Sequence, residues 1–493
     1  MPYLKKIGYE FSHLRNIGEK KWFTTEIAKS FPSLSNEKKL VLLESLLKAE
    51  GFEQYLHKSF VGARWYSLEG SEALIIIIDE IIEQCKEYDS INFGMPHRGR
   101  LNILAHIFGK PYREIFSEFR EEGINNVGSS KNDDYLKDVK YHLGAKKTKD
   151  SELFLFPNPS HLEMINPVIL GVTKAQQMNG NSSLGVMIHG DAAFPGEGIN
   201  SETFNLSKLK DYNTNGSVHI VTNNQVGFTT NPEDSYPSLF STDFVRGFDI
   251  PIIHVNADDI ESCINATRLA LKYKNKFNKD IVIDLIAYRR YGHQEMDDPS
   301  ITQPKLYEQI NKHPTITNIF SNDLISENII SIENVNILKA NNFKKFESEN
   351  TQDSEIVSSI WPGEFKIDQI DYEKSSEKIS LKDLSSLNNK LYAIDKDFSV
   401  NSRVDQVFKR RKNFELNSKI EWGHAELLSI ASLANKGTSI RFSGQDSQRG
   451  TFNQRNAVIW DTNGNGSLNL LDNINNNRYS HIINSPLSEM ATI

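Results

Sequence analysis

Short apolar runs alternate with longer stretches of helical periodicity between residues 60 and 300. The runs INFGM (91–95), LGVMIHGD (184–191), SVHIVTNN (217–224), PIIHVNA (251–257) and DIVIDLIAYR (280–289) read as strands. SETFNLSKLKDY (201–212) and DIESCINATRLALKYKNKF (259–277) between them read as helices. Strand, helix, strand at spacings of a few tens of residues is the pattern of parallel βαβ units. Strands that are apolar along their whole length are buried on both faces. Residues 59–310 are therefore expected to form an α/β domain built on a doubly wound parallel sheet. Upstream, Leu40, Leu42, Leu43, Leu46 and Leu47 share one helical face, and Gly51 offers a stop. Residues 1–58 thus read as a helical segment packed on something larger. Residues 311–420 are rich in Asn, Ser, Lys and Glu, with weak helical stretches such as ISIENVNILKANNFKKFESEN, and read as a helical connector with solvated faces. At residue 421 a second α/β pattern opens with EWGHAELLSIASLANKG and TSIRFSGQDS, passes a polar loop at 472–479, and reaches the start of a helix in SPLSEMATI.

Composition narrows the class. A chain of 493 residues suggests about three domains at ~150 residues each, and can bury a large core without staples. Lys and Arg number 56 against 64 Asp and Glu, a net charge of −8, which argues against a nucleic-acid binder. The 27 Phe, 17 Tyr and 5 Trp supply core material that a disordered chain lacks. Cys85 and Cys263, far apart, exclude a disulfide framework and favour a reducing compartment. The opening residues lack the apolar core of a signal peptide, and the aliphatic run Ala73 to Ile78 is too short to cross a bilayer. The expectation is a soluble intracellular protein with no membrane and no nucleic-acid partner.

Candidate chemistry concentrates in IHGDAAFPGEGINSETFNLSKLKDYNTNGSVHIVTNNQVGFTT. One strand ends at Asp191 and the next at Asn224, one βαβ unit later. In a parallel sheet both ends lie on the carboxyl edge, where ligands bind. A carboxylate and an amide oxygen are hard ligands suited to a magnesium ion that keeps positions for phosphate and water. Gly190, Gly196 and Gly198 let the backbone approach a diphosphate, and a nearby helix start favours the anion. An ordinary strand-to-helix turn with a capping aspartate is the competing reading of the same residues. Lone histidines such as His106, His219 and His254 read as structural, and His189 as shaping the turn.

The arrangement of Gly-Asp, a glycine-bearing turn, a helix with Glu202 and Asn205, and Asn-Asn at the next strand end resembles the thiamine-diphosphate-binding motif. In that motif the Asp, the Asn and a carbonyl two residues later bind Mg2+, which places Asp191, Asn224 and Val226 as metal ligands here. Further blocks occur in order: GMPHRGRLNIL (94–104), KYHLGA (140–145), NPSHLEMINPV (158–168), YRRYGHQEMDDPSITQP (288–304), SGQDSQRGTF (443–452) and SPLSE (485–489). Together they resemble the first component of the 2-oxoglutarate dehydrogenase complex, a thiamine-diphosphate-dependent decarboxylase. The resemblance implies the thiamine-diphosphate-binding fold, with an incomplete pyrimidine-binding (transketolase-like) domain at 421–493. It also implies that Arg98, Leu162, Asp191, Ala192, Ala193, Asn224, His293 and Glu489 bind the cofactor. His97, His142 and Ser160 would bind substrate, and His97, His142, His293 and Glu489 would serve catalysis, Glu489 through the aminopyrimidine ring. Histidines titrate near neutral pH and so can relay protons or, when charged, hold substrate carboxylates.

The implied activity is oxidative decarboxylation of 2-oxoglutarate, with succinyl transfer to lipoyl-lysine of a dihydrolipoamide succinyltransferase in the tricarboxylic acid cycle. A homodimer is implied, cytoplasmic in a bacterium or in the mitochondrial matrix of a eukaryote, with no targeting segment in this chain. The family's chains are longer, so the sequence resembles a segment truncated at both ends. Two positions depart from the family: Asn456 stands where His is usual, and Trp65 where a basic residue is usual. Asn cannot switch between proton donor and acceptor as His does. Two alternatives stay open: a 2-oxoadipate or other 2-oxoacid dehydrogenase component, and a non-catalytic binder of thiamine diphosphate and magnesium. One methylene separates glutarate from adipate and is worth only ~1–3 kcal/mol in discrimination.

Overall fold

The computed structural model describes residues 7–29, 31–125, 140–351, 379–413, 419–474 and 480–493. The apolar runs become the strands β2 (Ser90–Gly94), β5 (Ser183–Gly190), β6 (Val218–Asn223), β7 (Ile252–Asn256) and β8 (Ile281–Ile286). Three shorter strands join them: β1 (Gly8–Glu10), β3 (Ala145–Thr148) and β4 (Glu152–Leu155). The eight form one sheet in the order β1-β7-β8-β6-β5-β2-β4-β3. The six inner strands are parallel, while β1 and β3 pair antiparallel at the two edges. Every residue of β2 and β6 is buried, as strands covered by helices on both faces require. The sheet is therefore the expected doubly wound α/β arrangement with antiparallel edge strands added.

Helix boundaries follow caps where caps exist. Asp259 accepts from the Ser262 amide and opens the helix Ile260–Phe277, close to the span that the periodicity predicts. The expected stop at Gly51 is not used: the helix runs unbroken from Asn36 to Ser59, capped by Ser35. Glycine inside a helix costs about 1 kcal/mol, but burial of Leu42, Leu43, Leu46, Phe52 and Leu56 outweighs it. Phe346 of the helix Ile332–Asn350 packs over Gly51. Through Phe346 and Val335, that otherwise polar helix joins the core of the first unit. The helix expected over 201–212 spans Gly198–Leu206, because the Asn213 side-chain amide caps the Ser207 carbonyl at 2.7 Å and turns the chain out.

The chain divides into two compact units, 1–362 and 363–493. In the second, β9 (Ile440–Gly444) pairs parallel with β12 (Ser480–Asn484), and β10 (Val458–Trp460) pairs antiparallel with β11 (Ser467–Asn469). The helices Leu381–Leu391 and Trp422–Asn435 cover a core that includes Leu391, Tyr392, Phe408, Leu427 and Leu471. Among the described residues, no helix is long and apolar enough to cross a membrane.

Candidate active site

The parallel register of β5 and β6 sets Gly190 opposite Thr222, and the Thr222 hydroxyl donates to the His189 carbonyl at 2.7 Å. The loops that follow therefore leave the carboxyl edge side by side. Asp191 is 2% exposed and makes no ion pair with any described residue. Burial pushes its carboxyl up to about 7; backbone amides oppose the rise, Asp284 adds to it, and the charge of Arg289 opposes it. A buried carboxylate held without a cation is costly, and a bound metal would relieve that cost. In the neighbouring loop Asn224 is buried, and its Oδ1 accepts from the Val226 amide at 3.3 Å. Gly227 closes the two loops together: a Cβ there would lie 2.5 Å from the Cβ of Ala192.

The three glycines of the first loop differ from Gly227. A Cβ at Gly190, Gly196 or Gly198 would meet nothing within 4 Å, and none of the three has positive φ. Neither packing nor backbone conformation asks for glycine at these positions, which leaves room for a ligand beside the chain. Among the described residues, no group of three or more His, Cys, Asp or Glu converges as a metal site. An ion here would take Asp191 with amide and carbonyl oxygens, a hard set suited to Mg2+ with phosphate and water completing the shell.

A second cluster stands beside the first. The His97 and Tyr66 ring centroids lie 4.2 Å apart, and those of His97 and His293 5.8 Å apart. Tyr66 also meets Tyr141 at 4.8 Å, and Tyr141 lies 5.2 Å from His142. Arg98 donates to the carbonyls of Ser67 at 3.0 Å and His293 at 2.7 Å. Burial and the nearby Arg289 lower its pKa to about 10. His97 falls to about 3 and His293 to about 4, in each case through burial first and the charge of Arg98 second. Both imidazoles are therefore neutral at pH 7, so carboxylate binding by charged histidines is not available at these two positions in the ligand-free chain. Each still offers one N–H and one lone pair. The Phe228 ring lies 4.5 Å from that of His293, and Phe228 follows Val226 by two residues, so the two clusters are continuous.

Arg100 holds the remaining loops. It is fully buried and donates to the carbonyls of Met95, Leu143 and Phe156 at 2.6, 2.8 and 3.0 Å. The Asn158 amide donates to the His142 carbonyl at 3.2 Å, which sets the loop carrying Ser160 and Leu162 beside His142. Ser160 itself is exposed and Leu162 partly buried. Ala192 precedes, and Ala193 begins, the one-turn helix Ala193–Gly196 at the end of β5.

Glu489 opens the helix Glu489–Thr492 in the second unit, and its side chain lies outside the described residues. Asn456, also in the second unit, is buried and donates to the Asn453 carbonyl at 2.9 Å. Trp65 is 3% exposed; its amide donates to Glu295 at 3.0 Å, while its indole N–H has no partner among the described residues. Sequence reading did not single out Arg100, Arg289, Gln225 or Glu295. Buried arginine is rare, so nothing in its local sequence marks it. His189, read as shaping the turn, is buried between Glu163 at 2.6 Å and His219 at 3.0 Å.

The doubly wound sheet thus gathers Asp191, Asn224 and the open glycines of the first loop at its carboxyl edge, where α/β proteins bind their ligands. Residues 59–355 match the family described as dehydrogenase E1 component, and the chain belongs to that family. It is 40% identical to the 2-oxoglutarate dehydrogenase E1 component of Geobacillus sp. (strain WCH70), over all of this chain and 55% of that protein. The proteins of the same name from Geobacillus kaustophilus and Bacillus subtilis are 39% and 41% identical, over all of this chain and 55% of each. The chain thus spans about half the length of the curated relatives it matches. The family depends on thiamine diphosphate.

Proposed function

We propose that the protein decarboxylates 2-oxoglutarate and passes the succinyl group to lipoyl-lysine of a dihydrolipoamide succinyltransferase in the tricarboxylic acid cycle. The observation that carries this reading is Asp191, buried without a cation beside Asn224 and Val226. Asp191, Asn224 and the Val226 carbonyl would hold Mg2+, while Arg98, Ala192, Ala193, Leu162 and His293 would hold the diphosphate and thiazolium portion. Thiamine diphosphate, when bound, supplies the electron sink for loss of CO2. The chain's own groups bind and orient. His97 as a neutral imidazole, together with His142 and Ser160, would donate to the substrate carboxylates, and the ring cluster around Tyr66 excludes water. Glu489 is assigned to the aminopyrimidine. Exposed Phe228, Leu239, Met296 and Ile301, on the loops beyond β6 and β8, fit coverage by a second copy in a homodimer. A cytoplasmic place agrees with the bacterial relatives.

Decarboxylation of 2-oxoglutarate, followed as reduction of ferricyanide supplied as the electron acceptor, tests the reading. Activity is expected to need both thiamine diphosphate and Mg2+, to fall about 100-fold in His97→Ala, and to exceed that on 2-oxoadipate. Equal turnover without the cofactor, or a preference for 2-oxoadipate, contradicts it. Gly227→Ala forces the two metal-side loops apart. Calorimetry should show cofactor affinity weakened about tenfold, ~1.4 kcal/mol, and unchanged affinity would mean that the loop contact is dispensable.

A further inference from the structure

Arg289 lies three residues beyond β8, is 3% exposed, and forms no ion pair with any described carboxylate. Its Nε donates to the Tyr291 carbonyl at 3.0 Å and its Nη2 to the Phe228 carbonyl at 2.8 Å. Its hydrogen-bond acceptors among the described residues are two uncharged carbonyls, with the Asp191 carboxylate acting on it only through space, so burying the guanidinium is expensive. The two carbonyls belong to the two halves of the site: Phe228 ends the loop that carries Asn224 and Val226, and Tyr291 precedes Gly292-His293.

The loop needs holding. Gln225 and Phe228 both sit in the left-handed region, at φ +61° and +54°, and neither is glycine. Such residues persist only where their surroundings over-determine them. Besides the Asn224 side chain, which accepts from the Val226 amide, three side-chain anchors among the described residues tie this loop to the chain beyond β8. The Gln225 side chain donates to the Ala287 carbonyl at 2.7 Å, Arg289 grips Phe228, and the Gln303 side chain donates to the Thr229 carbonyl. Within the loop, the Gly227 and Thr230 amides each donate to the other residue's carbonyl.

We propose that Arg289 is a positioning residue: its planar fork spans the Phe228 and Tyr291 carbonyls and so fixes the strained 224–228 loop, which sets Asn224 and the Val226 carbonyl for a divalent cation beside Asp191. The proposal rests on the reading of that edge as the metal site. A lysine cannot span both carbonyls, because it presents a point charge where arginine presents a fork.

Two readouts on the full chain test it. The first is hydrogen exchange of the ligand-free protein, comparing wild type with R289M and R289K. Faster exchange confined to residues 224–231 is expected in both variants, with β5, β6 and β8 unchanged. Loosening that spreads over those strands, or no loosening, overturns the proposal. The second is Mn2+ binding, followed by electron paramagnetic resonance at fixed thiamine diphosphate. Affinity about tenfold weaker in R289M and R289K is expected, and wild-type affinity in R289M overturns the proposal. Failure of the wild type itself to bind Mn2+ would sink the reading of the metal site, while the exchange comparison still decides the role of Arg289. Should R289M fail to fold, R289K carries both readouts.

Discussion

Asp191→Asn is expected to stabilise the metal-free chain while sharply weakening its metal-dependent cofactor binding. The folded protein raises this carboxyl from its ordinary 3.8 to about 7, chiefly by burial. Folded chain therefore holds a proton that unfolded chain releases between those pH values. The penalty is absent below about pH 3.8, grows as pH rises, and is fully present above about pH 7. Asparagine, which has no charge to desolvate, escapes it. In EDTA the variant should match wild type near pH 4 and exceed it at pH 8 by ~2–4 kcal/mol, read from urea denaturation. With thiamine diphosphate and Mg2+ the order reverses, because wild type gains binding energy that the variant cannot. An affinity loss of about 100-fold, ~2.7 kcal/mol, is expected from the missing anionic ligand. A variant less stable than wild type at pH 8 in EDTA would show that the carboxylate has a structural partner.

Arg100→Met should be the most damaging single change to the fold. The guanidinium is wholly buried and serves the carbonyls of Met95, Leu143 and Phe156, which belong to three separate segments. Methionine fills much of the volume but takes the donor from three carbonyls, those of Met95 and Leu143 buried and that of Phe156 partly so. Hydrogen bonds to charged groups contribute about 1.5–3 kcal/mol each, and orphaned acceptors add their desolvation cost. A loss of ~3–5 kcal/mol is expected, read as a shift in urea midpoint with unchanged slope. Turnover should fall even at temperatures where the variant is folded, because His97 and His142 flank the released segments. A shift under about 1 kcal/mol would mean that those loops are held by packing alone.

Much of this architecture was legible in the sequence, for identifiable reasons. Strands β5, β6 and β8 are dominated by apolar residues because both faces are covered, and that pattern needs no tertiary knowledge to read. Strands β1 and β3 escaped because three or four residues carry no usable period, and their pairing with β7 and β4 is a property of the folded edge. Gly51 misled because a local breaker was outweighed by burial along one face of its helix. At the site, Asp191 and Asn224 could be placed together from topology alone, since parallel strands share a carboxyl edge. What the sequence did not reveal is how those loops are held. Arg289 and Arg100 act on carbonyls far along the chain, and the conformations of Gln225 and Phe228 are set by such contacts rather than by residue type. The protonation of His97 and His293 was likewise out of reach, because it follows from burial beside Arg98.

The central claim is that Asp191, Asn224 and Val226 form a metal-dependent diphosphate site, and isothermal titration of the full chain with thiamine diphosphate tests it most directly. Binding that appears with Mg2+, disappears in EDTA and is lost in Asp191→Ala is the predicted result. No binding by the folded wild-type chain, or equal binding by Asp191→Ala, would contradict it.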